Sequence, residues 1–254
     1  MACFERIDAK TFLPTQHTGG AWNPNELHIA PVVGLLTHAL EIDYGRRGNG
    51  FVIGRMSYDI LGTIPVELIE TDVQIVRLGR TVELVEASII HNHRPALRMR
   101  AWLMKPNDTR SLNGTPFPRI LPPDKMPHWN PSTLWPGGFI ASLEVRRVQQ
   151  NPGRAAYWAR VNQPLRDNEP ISQLARAAAM FDIPNGMTVR TDPRRTTFPN
   201  VDITVHLFGA PTSDWLGFDT SVSFGSNGLG LTSSILHDEA GPIGTIAQTL
   251  TVRT

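Results

Sequence analysis

An internal repeat constrains this chain more than any other feature. Residues 55–103 and 202–250 align without a gap at an offset of 147: Gly62 meets Gly209, Leu84 meets Leu231, Pro95 meets Pro242 and Leu103 meets Leu250. Few residues are identical; what recurs is the pattern. In each copy a short strand leads to two long alternating stretches, a turn and a last strand. The turns fall at Arg77–Arg80 and His91–Pro95 in copy one, and at Gly225–Gly228 and Asp238–Pro242 in copy two. Clusters of Gly, Asn and Pro between period-two runs punctuate hairpins. Each copy is therefore expected to end in an antiparallel meander, the two sharing one sheet.

Upstream of each meander lies one candidate helix, His28–Ile42 and Pro170–Ile183, both rich in apolar residues and the second with proline in its first turn. The repeat unit reads as strand, helix, then four strands, with a helix apolar enough to be wrapped by the sheet. Between the copies, residues 105–137 hold eight of the 21 prolines, which excludes regular structure there. The expected division is a first repeat at 1–104, a proline-rich crossover at 105–137 and a second repeat at 138–254. Open sheet edges favour a homo-oligomer.

Charge narrows the partners. Lys and Arg number 24 against 23 Asp and Glu, a net charge of +1, so no field draws in nucleic acid or an anionic membrane. Cys3 is the single cysteine, which excludes an internal disulfide and fits a reducing compartment. The start carries no long apolar core of a signal peptide, and nowhere do about 18 apolar residues run together. A cytoplasmic location is the expectation.

A long apolar helix cradled by an antiparallel sheet, duplicated in one chain, resembles the double hotdog fold of the α+β class. The run Asn200-Val-Asp-Ile-Thr-Val-His, Trp215-Leu-Gly-Phe, then Gly244-Thr-Ile-Ala-Gln248 and Arg253 is similar to the type II acyl-CoA thioesterases of the thioesterase-like superfamily. The resemblance covers both halves in outline and is sharp over roughly the last 75 residues. It implies a water-positioning triad of Asp, Thr or Ser, and Gln in the second hotdog, acting on an acyl-CoA or related acyl thioester. By motif position the Asp falls on Asp182 and the Gln on Gln248. The Thr position falls on Asn200, an amide that can orient water but lacks the hydroxyl; Thr196 and Thr197 stand close by.

The repeat singles out these residues independently. At the offset, Asp182 corresponds to Leu35, Asn200 to Ile53 and Gln248 to Ala101, so three polar groups replace apolar partners. On the last strand Ile246, Gln248, Leu250 and Val252 share one face, which makes Gln248 a polar residue on an apolar side. An unpartnered buried polar group costs about 1–3 kcal/mol, so the three are expected to converge on one another or on something bound. Asp182 is expected to act as base, Gln248 as its second hydrogen-bonding partner and Asn200 to complete the set, with one site per chain. Helix N-termini near His28 and Pro170 offer backbone N–H groups to polarise a carbonyl. No metal or redox cofactor is required.

Other motifs are weaker. Gly225-Ser-Asn-Gly-Leu-Gly230 lacks the Lys-Ser/Thr and helix of a phosphate loop. His91 and His93 lack a third metal ligand. His28 and His38, flanking the first helix, read as partly buried structural residues. Cys3 has no basic neighbour, and no nucleophile elbow is present. Trp22, Trp102, Trp135, Trp158 and Trp215 read as core or pocket lining. Two alternatives stay open: a non-catalytic acyl binder, and a hotdog dehydratase or hydratase, whose Asp is followed five residues later by His where this chain has Met187.

Overall fold

The computed structural model describes residues 1–48 and 50–254. The strands are β1 Phe4–Arg6, β2 Thr11–Pro14, β3 Val52–Ile60, β4 Ile69–Arg77, β5 Val82–His91, β6 Arg94–Met104, β7 His128–Trp129, β8 Leu143–Asn151, β9 Arg154–Val161, β10 Asp202–Leu207, β11 Leu216–Phe224, β12 Leu229–Asp238 and β13 Gly241–Thr251. The helices are α1 Ile29–Arg47, α2 Gly138–Ala141, α3 Gln173–Ala178 and α4 Pro184–Met187. One 13-stranded sheet runs β1-β2-β4-β5-β6-β3-β10-β13-β12-β11-β9-β8-β7. Its neighbours pair antiparallel throughout.

The repeat survives translation into structure. Shifted by 147, the bounds of β4, β5 and β6 coincide with those of β11, β12 and β13. The β5–β6 hairpin turns on Asn92 and His93 at φ +48° and +63°, the left-handed pair that a two-residue hairpin of matching twist requires. The halves join where β3 pairs with β10, and there Ser57 faces Thr204, its own equivalent at the offset. A local two-fold axis passes through that pair. With α1 laid on the sheet and buried from Ala30 through His38 and again at Leu40, this is a double hotdog.

α1 runs further than the expected His28–Ile42. His28 is its N-cap, Pro31 sits in the first turn where a missing N–H costs no bond, and Gly48 ends it at φ +66°. The second helix is shorter than the expected Pro170–Ile183. Ser172 caps it by accepting the Ala175 N–H at 3.0 Å, and the helix stops at Ala178. Beyond Ala178 the bonding tightens, with Met180 N–H donating to the Ala177 carbonyl and Phe181 N–H to that of Ala178, and Pro184 then opens α4 at its first position. The second copy therefore holds two short helices in place of one long one.

The repeat unit also opens differently from the single strand expected. β8 and β9 form a hairpin ahead of α3, and β9 joins the sheet against β11. β9 shows no alternation because both faces are covered: Ala155, Ala156, Tyr157, Trp158 and Ala159 are all buried. The crossover segment, expected to hold no regular structure, in fact adds the short edge strand β7, and it supplies the outer cover, packing Met126 on Ala156 and Trp158 and accepting the Trp158 Nε1–H at the Leu121 carbonyl, 2.7 Å. The sheet ends on β1 and β7, three and two residues long; β2 pairs with β4 only at Ile69 and Glu70, and β7 with β8 only at Val145 and Arg146, so most of the rest of β4 and β8 is open edge.

α1 and α3 cross antiparallel at close range. His28 lies beside Asp182, Gly34 beside Ala175 and Ala179, and Glu41 beside Ser172. A Cβ at Gly34 would stand 2.7 Å from the Ala179 Cβ, so only glycine lets the helices approach this far. The packing delivers the end of α3 to the start of α1. No helix of the described residues is long and apolar enough to cross a membrane.

Candidate active site

The three polar residues that break the repeat meet at this crossing. Asn200 Nδ2 donates to Asp182 Oδ1 at 2.7 Å, and Gln248 Nε2 approaches the same oxygen at 3.5 Å. Asn200 precedes β10 and is held against β13 by a bridge to Leu250, which aims its amide inward. Its Nδ2 also lies 3.3 Å from the Asp202 carbonyl. Thr197, the nearby hydroxyl residue, pairs through its backbone with Arg253 and also lines the adjoining cavity, with no bond to Asp182. Gln248 points off β13 between Ile246 and Leu250 and is almost wholly buried, with its Oε1 unpartnered among the described residues. Their counterparts Leu35, Ile53 and Ala101 are all buried in the core.

Asp182 and Asn200 form part of the wall of a cavity of about 370 Å³; Gln248 does not line it and reaches the carboxylate from behind. Both halves of the chain build this cavity, with Trp22, Leu27 and Ile29 from the first, Ile183 and Met187 from the second and Trp135 from the crossover. Trp22 and Trp135 meet edge to face, 4.9 Å between centroids, and Trp135 is fixed by donating to the Gly186 carbonyl at 2.8 Å. A second cavity of about 360 Å³, walled by Cys3, Arg160, Arg166 and Glu169 among others, contains none of the three.

Burial pushes the Asp182 carboxyl up to about 7, and the hydrogen bond from Asn200 moderates the rise. The positive end of the α1 dipole also favours the carboxylate here, but loss of water outweighs both. The group is thus poised to exchange a proton near neutrality.

One residue of the site was not legible as such. His28, read as structural, places Nδ1 3.5 Å from Asp182 Oδ2 while accepting the Ala30 N–H at 3.1 Å. The one available signal was its position at a helix N-cap, where Ser, Thr, Asp or Asn is usual. Among the first-turn amides of α1, that of Ala30 is taken by His28 and Pro31 has none. Ile29, at N1, has no intrahelical acceptor, so its N–H is the one left for a ligand. The other expected N-terminus, near Pro170, lies away from the site: Ser172 there donates to Glu41 at 2.5 Å. His91 is not among the lining residues; its Nε2 lies 2.9 Å from Glu67 Oε2.

Comparison with known proteins identifies the family. Residues 118–252 match the family model of the acyl-CoA thioesterase C-terminal domain, and residues 18–104 that of the N-terminal domain. The chain belongs to the acyl-CoA thioesterase family. Solved structures of this thioesterase fold resemble it along nearly the whole length. A hot dog fold protein of unknown function from Alicyclobacillus acidocaldarius has a TM-score of 0.76 at 14% identity, covering 98% of this chain and 95% of that one. The tesB protein of Mycobacterium avium subs paratuberculosis scores 0.68 at 16% identity, covering 99% and 96%. The acyl-CoA thioesterase II TesB2 of Mycobacterium marinum scores 0.66 at 15% identity, covering 98% and 95%. No curated protein matches this family member in sequence.

Proposed function

We propose that this chain hydrolyses an acyl-CoA or a related acyl thioester. The observation that carries the reading is the gathering of Asn200 and Gln248 on one Asp182 oxygen, in the wall of a largely apolar cavity at the start of α1. Asp182 takes a proton from a water as that water's oxygen bonds to the acyl carbon. The carbonyl π pair moves onto oxygen, where the Ile29 N–H receives the charge. On collapse the C–S bond breaks, the thiolate leaves, and the proton on Asp182 passes to sulfur. Water and thioester become acid and thiol, with no metal or redox group in the balance. Asn200 holds the carboxylate and the water; Gln248, off the cavity, positions the carboxylate. Two hotdog repeats, 1–104 and 138–254 about the 105–137 crossover, supply the parts unequally, so we expect one site per chain.

The test is release of free thiol from acetyl-, octanoyl-, palmitoyl- and benzoyl-CoA by wild type and Asp182→Asn. Wild type should turn over at least one, and the variant should be slower by about 100-fold or more. If wild type releases no thiol from any, the reading fails. One observation favours a second reading: Asn200 contributes no hydroxyl, which suits a pocket that binds acyl groups without turnover. Calorimetric binding of the same acyl-CoAs in the absence of thiol release would support that binder. A dehydratase is disfavoured because Met187, buried at the position its His would take, cannot move a proton.

A further inference from the structure

We propose that His28, as its Nε2–H tautomer, is a catalytic side-chain donor to the thioester carbonyl, forming with the Ile29 amide a two-donor oxyanion site that the first half of the chain contributes. This rests on the thioesterase reading and adds a residue to it.

The argument starts from the cap. Nδ1 accepts the Ala30 N–H at 3.1 Å, so the lone pair is on Nδ1 and the ring proton on Nε2. Phe139, 4.7 Å away between centroids, holds the ring from one side. His28 lines the cavity beside Ile29, and Nε2 has no hydrogen-bond partner among the described residues. A nearly buried N–H donor without a partner, beside a free backbone N–H, calls for an acceptor from the ligand. Asp182 Oδ2 lies 3.5 Å from Nδ1, so Nε2 is one ring-width from the carboxylate. A carbonyl oxygen on Nε2–H thereby sets its carbon within reach of a water held by Asp182 and Asn200. Burial lowers the His28 pKa to about 3, keeping the ring neutral under working conditions, as a donor that polarises rather than transfers its proton must be. Asp182 is the charged group nearest the ring, and Glu26 and Arg253 share the same cavity wall.

His28→Asn is the test variant, because Asn is among the best N-caps and its Oδ1 can keep the Ala30 bond while the Nε2 donor is lost. Two readouts are taken. The first is kcat and KM on the fastest of the four acyl-CoAs, with thermal unfolding as a check on the fold. The proposal expects kcat to fall about 100-fold or more with KM changed by less than about threefold, the loss typical of one oxyanion donor. His28→Gln, whose amide N–H reaches to the Nε2 position, should recover part of it. The second readout is the carbonyl resonance of ¹³C-labelled ketone analogues of acetyl-, octanoyl- and palmitoyl-CoA, with a CH₂ between carbonyl and sulfur. Wild type should shift the bound carbonyl downfield, and His28→Asn should lose most of that shift. An unchanged kcat in an active, folded His28→Asn overturns the proposal, as does an equal shift in both proteins or failure of wild type to bind any of the ketones. If wild type hydrolyses nothing yet shifts the ketone in a His28-dependent way, hydrolysis falls and His28 stands as the carbonyl donor of a binding site.

Discussion

Replacing Asp182 by Asn should disable the site and, above neutral pH, stabilise the protein. In the fold the carboxyl titrates at about 7, against an ordinary value of 3.8 in the unfolded chain. The native state therefore holds the proton more tightly. Between those two values it binds more protons than the unfolded state, so this group's contribution to stability falls as pH rises and levels off above about 7. The full loss is about 4 kcal/mol, of which about 2.5 kcal/mol falls between pH 5 and pH 8. Asn mimics the protonated acid: its Oδ1 still accepts from Asn200 and Gln248. It cannot ionise, so the loss is absent from the variant. Urea unfolding of both proteins at pH 5, 6, 7 and 8 measures the difference. Variant stability minus wild-type stability should grow by about 2–3 kcal/mol across that range, with equal m-values. Parallel pH curves, within about 0.5 kcal/mol, would refute the claim that Asp182 is a carboxyl kept neutral by burial.

Activity should follow the same group in the opposite sense: kcat/KM should climb tenfold per pH unit below about pH 7 and level off above it, and a flat profile from pH 5 to 8 would remove Asp182 as the base. Gln248→Ala takes away a contact behind the carboxylate and leaves a small void, so its loss of kcat should be clearly milder than that of Asp182→Asn in the same thiol-release assay. Asn200→Thr installs the hydroxyl used in the resembled family and should keep or raise kcat; abolished activity would assign the amide a role that a hydroxyl cannot fill. Gly34→Ala forces a Cβ to within 2.7 Å of Ala179 and should cost about 1–3 kcal/mol in urea unfolding, with a fall in kcat as the end of α3 is moved off α1.

The parts of this fold that were legible in the chain are those whose information is local. β4 to β6 and β11 to β13 alternate, turn on Gly, Asn or Pro, and recur at one offset, so their bounds and their inward faces could be read directly. The same comparison exposed Asp182, Asn200 and Gln248, because a polar residue opposite Leu35, Ile53 or Ala101 is visible without coordinates. Where the environment is set from far away, the reading failed. β9 carries no alternation because the crossover covers its outer face. The second helix was read too long because apolar content does not show where the bonding tightens, as it does after Ala178. His28 was read as structural because its partner Asp182 lies 154 residues on, and only the antiparallel crossing of α1 on α3 brings the two together.

The seam between β3 and β10 has a consequence for how the chain reaches this structure. Each meander forms from strands that follow one another along the chain, linked by tight turns, and closes at small cost in chain entropy. The Ser57–Thr204 pairing and the α1–α3 crossing join segments some 140–150 residues apart, contacts that carry a large entropy of closure and return nothing until both sides exist. The meanders should gain hydrogen-exchange protection first, and the seam last. Because His28 and Asp182 lie on opposite sides of that last junction, the pocket comes into being only in the final step of folding.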